Sequence, residues 1–332
     1  MDLIESYKEE LQLIRKPWTR VWVGVLLLLL LFLPLYAREY FVYVATIIFI
    51  YSIGVQGQNI LIGYTGQISF GQAGFLAIGA FTFGHLIRLG LPWPLCLLAA
   101  GLAAGLFGLV VGIPSLRLKG PYLAIATLGF GVAVYQIFVN SELLSGGRMG
   151  LVVPKLTPPF GLSQTVFNYY FNFLIALILT LASYNIVSSY MGRAFIAVRD
   201  NDIAAEVMGV NLARYKLLSF GISSFYTGIQ GALFGLFMGY LEPNMFTLME
   251  GITLFVAVII GGLASVEGSI MGAAFVILVH QMHNFFPMFE AYQEMVPVVF
   301  GVTIFVVLIF EPLGLYGRWF KMRLYLRNWP FR

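Results

Sequence analysis

Charged side chains make up only 10% of this sequence, so the places where they gather are the places to look for chemistry. The densest gathering is Met191–Lys216, MGRAFIAVRDNDIAAEVMGVNLARYK, which holds Arg193, Arg199, Asp200, Asp202, Glu206, Arg214 and Lys216. Within apolar runs the notable ionisable residues are His85, Glu267, His280 and His283. His280 and His283 stand at i, i+3. No carboxylate or cysteine follows at useful spacing, so packed or interfacial imidazoles are expected there and no metal. The sequence has no Ser/His/Asp arrangement, no glutamate pair at bundle-metal spacing and no G-x-x-x-x-G-K-[ST] phosphate loop. A hydrolase and a self-contained ATPase both lack support. If ATP is used, another chain must hydrolyse it. The single cysteine, Cys96, excludes an internal disulfide and is expected to pack as a small apolar residue.

Uncharged polar residues form a second group. Gly63, Gly66, Gly71, Gly74, Gly79 and Gly84 crowd the run GYTGQISFGQAGFLAIGAFTFG, with Gln67, Ser69 and Gln72 between them. Gln58 and Asn59 lie just before it. Farther on, Ser223, Thr227, Gly231, Gly235 and Gly239 make an i, i+4 row beside a strip of Ser219, Ser223, Thr227 and Gln230. Small residues let helices approach closely, and polar ones at membrane depth must face protein or water. Two readings are open, tight packing or a discontinuous helix entry that lines a pathway. The pathway candidates are Gln58, Asn59, Gln67, Ser69, Gln72 and Gln230.

The elements that position these residues follow from composition. The 332 residues are 60% hydrophobic, with a mean hydropathy of +0.88. A soluble domain could not cover that core, so the expectation is an all-α polytopic membrane protein. Spans are expected at about Val21–Tyr36, Phe41–Ile62, Ile68–Leu89, Pro94–Ile113, Tyr122–Asn140, Phe167–Tyr190, Leu217–Tyr240, Ile252–Ala264, Ser269–Phe286 and Met295–Phe310. The first is read as a retained span and not a signal peptide, because no small-x-small cleavage site follows it. The eighth is short and breaks at Gly261-Gly262. Ten spans place both termini on one side, together with 15 of the 19 Lys and Arg residues, so that side is expected to be cytoplasmic. Five spans on each side of Val166 would face opposite ways, as in inverted-repeat transporters. The chain reads as one membrane domain over 1–332. It has a polar N-terminal segment at 1–20, a cytoplasmic loop at 191–216 and a basic tail at 314–332.

Within Met191–Lys216 the pattern is helical. Asp200 or Asn201 can cap a short helix, and Ile203, Val207 and Val210 form an apolar face. Asp200, Asp202 and Glu206 suit its N-terminal turns, and Gly209 can end it in a left-handed cap. The expectation is a short amphipathic helix on the membrane surface.

Four blocks carry a resemblance. ILIGYTGQISFGQAGFLAIGAF (60–81), PSLRLKGPYLAIATLGFG (114–131), GRAFIAVRDNDIAAEVMGVNLARYKLLSF (192–220) and GGLASVEGSIMGA (261–273) occur in order. The chain resembles the LivM-type permease subunits of bacterial branched-chain amino acid ABC importers, over nearly its whole length. The resemblance implies import of branched-chain or related amino acids across the inner membrane, with ATP and Mg used by partner subunits and no cofactor on this chain. It implies a complex with a LivH-type sister permease, two ABC ATPase subunits and a periplasmic substrate-binding protein. It makes Met191–Lys216 the coupling loop, with Arg199, Asp200, Ala204, Ala205, Glu206 and Gly209 as coupling residues. Ala204, Ala205 and Gly209 fit the A-A-x-x-x-G part of the importer loop motif. Ile203 stands where many importers have glutamate, and Glu206 is displaced. Related permeases serve urea, short amides or aromatic acids, so the same class with another substrate is an alternative. An autonomous channel or secondary carrier is an alternative from another class.

Overall fold

The computed structural model describes residues 17–161, 163–281, 298, 301, 302, 305 and 314–327. Their helices are α1 (Pro17–Tyr36), α2 (Glu39–Asn59), α3 (Gln72–Arg88), α4 (Trp93–Ser115), α5 (Pro121–Asn140), the one-turn α6 (Glu142–Ser145), α7 (Gln164–Ser188), α8 (Tyr190–Asp200), α9 (Asp202–Val207), α10 (Leu212–Met238), α11 (Leu248–Gly261), α12 (Val266–His280) and α13 (Gly314–Arg327). Among the described residues, Glu39–Tyr64, Trp93–Ser115, Pro121–Asn140, Gln164–Ser188 and Pro243–Gly261 are long and apolar enough to cross a membrane. A backbone in lipid must pair its own N–H and C=O groups, and a helix does so within one segment. The chain is therefore an all-α polytopic membrane protein. One short antiparallel pair, β1 (Leu151–Val152) with β2 (Tyr240–Leu241), ties the loop after α6 to the end of α10. The expected span Met295–Phe310 falls almost wholly outside the described residues. Residues 1–16 of the N-terminal segment, His283 and residues 328–332 of the tail also lie outside them.

Helix α10 sits in the middle, packed against α2, α3 and α4. Glycines set those distances. A Cβ on Gly79 of α3 would come within 2.2 Å of the Gly228 carbonyl oxygen, and one on Gly231 of α10 within 2.1 Å of the Leu76 carbonyl oxygen. On another side of α10, a Cβ on Gly108 of α4 would meet Ser224 Oγ at 2.2 Å. Such contacts hold helices at backbone distance, where dispersion and not water release drives association. The row Ser223, Thr227, Gly231 faces α3, as close packing requires. Phe75, Phe81, Phe83, Phe220 and Phe246 fill the remaining core. Leu95, Leu98, Leu102 and Leu106 form an exposed stripe on α4, the pattern of a face turned to lipid or another subunit.

The described helices start one to five residues away from the expected span starts, and two of these shifts bear on the site. The third helix begins at Gln72 and not at Ile68. Residues 65–71 run as mostly buried non-helical backbone, with Gly66 exposed, entered through a π-helical turn at Ile60–Tyr64. Other groups satisfy that backbone. Ser69 O accepts from Gln58 Nε2 at 3.3 Å, and Phe70 N donates to Thr127 Oγ1 at 3.1 Å. Irregular backbone survives at membrane depth only when enclosed by protein in this way. Helix α11 begins at Leu248 and not at Ile252, so Glu250 belongs to its first turn instead of a loop. The break at Gly261-Gly262 stands where expected, with Gly262 at φ +122°.

Candidate functional site

The polar stretch folds as two helices instead of one. Helix α8 is capped by Ser189, whose Oγ accepts from Met191 N at 3.1 Å. It buries Ala194, Phe195 and Val198 against Ile60, Tyr64 and Tyr215. Extended backbone at Asn201 then breaks the chain. The Asn201 side chain caps α9, accepting from Ala204 N at 3.0 Å. The left-handed end falls at Gly209, φ +86°. Of the expected apolar face, Ile203 and Val207 are 72% and 82% exposed, joined by Met208 at 83%. Val210 instead turns back toward Phe195 and Tyr215, because the positive φ at Gly209 reverses the chain before it. A bare apolar knob on a short helix is costly in water and marks a contact surface.

Charge anchors this knob at its base. The Asp202 carboxylate accepts from Lys119 Nζ and lies 3.8 Å from Lys216 Nζ. The Lys119 ammonium holds its pKa below the ordinary carboxylate value. The candidate coupling residues divide by position. Ala204, Glu206 and Gly209 are exposed, and Asp200 is largely so, whereas Ala205 is buried and packs inward. Arg199 points back into the bundle. Its Nε donates to Asp200 Oδ1 at 3.0 Å and its Nη1 to the Gly63 carbonyl at 2.8 Å.

That carbonyl belongs to the π-turn, one turn from Asn59. Asn59 Nδ2 donates to Gly262 O (3.2 Å), Ser265 O (2.9 Å) and Ser269 Oγ (2.8 Å), while its Oδ1 accepts from Ala264 N at 2.9 Å. Ala264 has φ +55°, a left-handed conformation that costs an alanine about 1–2 kcal/mol. Asn59 thus ties the π-turn of α2 to the break between α11 and α12. Both breaks lie beside the base of α8–α9.

The other pathway candidates form a seam between α2, α3 and α10. Gln67 Nε2 donates to Ser219 Oγ at 2.7 Å. Gln72 Nε2 donates to Ser223 Oγ at 3.0 Å, and Gln72 Oε1 accepts from Thr227 Oγ1 at 2.7 Å. Gln58, Ser69, Gln72 and Gln230 are 0% exposed, Asn59 1% and Gln67 6%. In this conformation all six are enclosed within the chain, and Asn59 serves as a bracket between helix breaks. Gln58 Oε1, Gln67 Oε1 and both amide atoms of Gln230 are buried without a hydrogen-bond partner.

One pair escaped sequence reading. Tyr51 Oη of α2 donates to Glu250 Oε2 of α11 at 2.9 Å. Counting Glu250 as loop hid it, because its charge lowers local hydropathy at the very start of the span. His85 Nε2 lies 2.7 Å from the Leu144 carbonyl, and His280 ends α12. Cys96 is buried. Among the described residues no three His, Cys, Asp or Glu gather as metal ligands.

The family described as branched-chain amino acid transport system / permease component matches residues 40–308. The high-affinity branched-chain amino acid transport system permease protein LivM of Escherichia coli K12 is 32% identical over 323 residues, covering 89% of this chain and 74% of the relative. LivM of Salmonella typhimurium is 32% identical over 299 residues, covering 82% and 69%. The LivH permease protein of Salmonella typhimurium is 25% identical over 289 residues, covering 81% and 91%. No solved structure matches the chain. A family match across the bundle, including the α8–α9 loop and both helix breaks, makes this chain a member of the branched-chain amino acid transport permease family.

Proposed function

We propose that the chain is one of two membrane-spanning subunits of an ATP-binding-cassette importer for branched-chain amino acids. The observation that carries this reading is the projecting α9 knob, Ile203, Val207 and Met208, on a base wired to two helix breaks. Two ATPase subunits would supply the groove that covers the knob, and a LivH-type permease would complete the pathway. A substrate-binding protein would deliver the amino acid. In this reading ten spans form two inverted halves in the bacterial inner membrane, with both termini and α9 in the cytoplasm. Closure of the ATPases would move α8–α9 as a lever. Arg199 would pull on the Gly63 carbonyl, and Asn59 would pass the motion to the α11–α12 break.

The test is co-purification and uptake. The chain, tagged and expressed with its neighbouring genes, is expected to bring down a sister permease and ATPases. The reconstituted complex is expected to take up labelled leucine only with ATP and the binding protein. Uptake of urea or an amide instead would keep the class and change the solute. Uptake by this chain alone would overturn the reading.

A further inference from the structure

We infer that Glu250, backed by the Tyr51 hydroxyl, binds the ammonium group of a zwitterionic amino-acid substrate about midway along α2, deeper in the bundle than the helix breaks beside α9. This rests on the amino-acid import reading above and names a residue and a ligand group within it.

Position comes first. Glu250 lies in the first turn of α11, 11 residues before the Gly261 break that faces Asn59. At 1.5 Å per residue it stands about 17 Å along the helix from that end. A carboxylate within a helix that can span a membrane is costly unless paired. Among the described residues no ammonium or guanidinium pairs with it, and its one hydrogen bond is the Tyr51 hydroxyl on Oε2.

A bland role was available and is not taken. Thr247-Leu248-Met249-Glu250 has the T-x-x-E spacing of a capping box, in which the glutamate would bond the Thr247 N–H and the threonine would cap the helix. Thr247 makes no side-chain cap, and Glu250 reaches across to α2. The carboxylate is committed to a site between helices and not to its own helix end.

A second, independent feature lies one turn away. Tyr51 and Gly54 share a face of α2, and a Cβ on Gly54 would overlap Gln230 Oε1 at 1.7 Å. Gln230 is fully buried with neither amide atom bonded. A buried amide left unpaired forfeits its hydrogen bonds to water, so its retention needs a cause. A zwitterion supplies one, with its ammonium at Glu250 and its carboxylate accepting from Gln230 Nε2. The site is closed between α2 and α10 here, so filling it requires those helices to part, the motion that a moving α8–α10 segment would produce.

The test uses the full reconstituted complex with ATP, its binding protein at saturation and labelled leucine, in sodium or choline buffer. Glu250→Gln keeps the shape and the Tyr51 bond but removes the charge. It is expected to lower the maximal uptake rate about ten- to hundredfold, the size of a lost charge-assisted contact, with basal ATP hydrolysis and subunit assembly unchanged. Gln230→Leu removes an unsatisfied buried amide, so it is expected to leave melting temperature equal or higher while also cutting uptake. A merely structural residue would not separate stability from uptake in that way. Wild-type uptake by Glu250→Gln would overturn the site while leaving the function intact. If Glu250→Gln fails to assemble, undiminished uptake by Gln230→Leu and Tyr51→Phe overturns the site alone. Sodium-dependent uptake that Glu250→Gln abolishes would assign the carboxylate to an inorganic cation, overturning the ammonium. Wild-type complexes that move no ammonium-bearing solute would overturn both readings.

Discussion

Gly209 shows how one residue sets the shape of the loop between α9 and α10. Its φ of +86° is open to glycine and strained for other residues, and its N–H donates to Glu206 O at 2.9 Å. Gly209→Pro removes that bond and forbids that φ. It is expected to abolish substrate-stimulated ATP hydrolysis in the assembled complex while membrane insertion stays normal. Stimulation at the wild-type level would remove α9 from the coupling route. Asp202 gives a pH prediction. Its folded pKa is below the ordinary 3.8 because of Lys119. The ionised form therefore stabilises the loop above that pH, and the contribution is lost as pH falls through the lowered value. Lys119 is largely exposed, so the tie is worth about 1 kcal/mol or less. Melting curves of wild type and Asp202→Asn are expected to differ by a constant small amount from pH 5 to pH 7 and to converge below about pH 4.

At the scale of elements, glycine contacts decide which helices are neighbours. The backbone of α10 touches that of α3 because Gly79 and Gly231 carry no side chain. Gly231→Val would place atoms inside the Leu76 carbonyl and force α3 and α10 apart. Overpacking of this kind costs about 1–3 kcal/mol. The expected result is a lower melting temperature in detergent and weaker recovery of the complex, and an unchanged melting temperature would refute the close approach. The helix breaks are the other element-level device. The π-turn, the non-helical 65–71 segment and the Gly262–Ser265 connection all lie where α8 meets the bundle. Ala264 is held left-handed there by Asn59, so strain is stored beside α8.

Across the whole molecule, one polar region lies at an end of the central helices and a second lies about midway along them. At the end, α9 presents an apolar knob above a basic and acidic base. Midway along α2, Tyr51 joins that helix to Glu250 of α11. The Gln67, Gln72 and Gln230 seam runs between the two regions along α10. A conformational change that parts α2 and α10 would act on both regions, since α10 follows directly from the loop after α9.

The all-helical membrane class, the approximate placement of the helices among the described residues, the Gly261-Gly262 break, the cap at Asn201 and the stop at Gly209 were legible in the sequence. Each depends on local chemistry: hydropathy over about twenty residues, a side chain that caps its own backbone, or a φ that only glycine takes freely. The inward turn of Val210, the bracket at Asn59, the extent of the non-helical entry up to Gln72 and the Tyr51–Glu250 pair needed the tertiary structure. They join residues that are far apart in sequence, Asn59 with Ser265 and Tyr51 with Glu250. A polar residue within an apolar run shows only that it must find a partner. Which helix supplies that partner is decided by packing, here by the glycines that let α10 lie between α3 and α4.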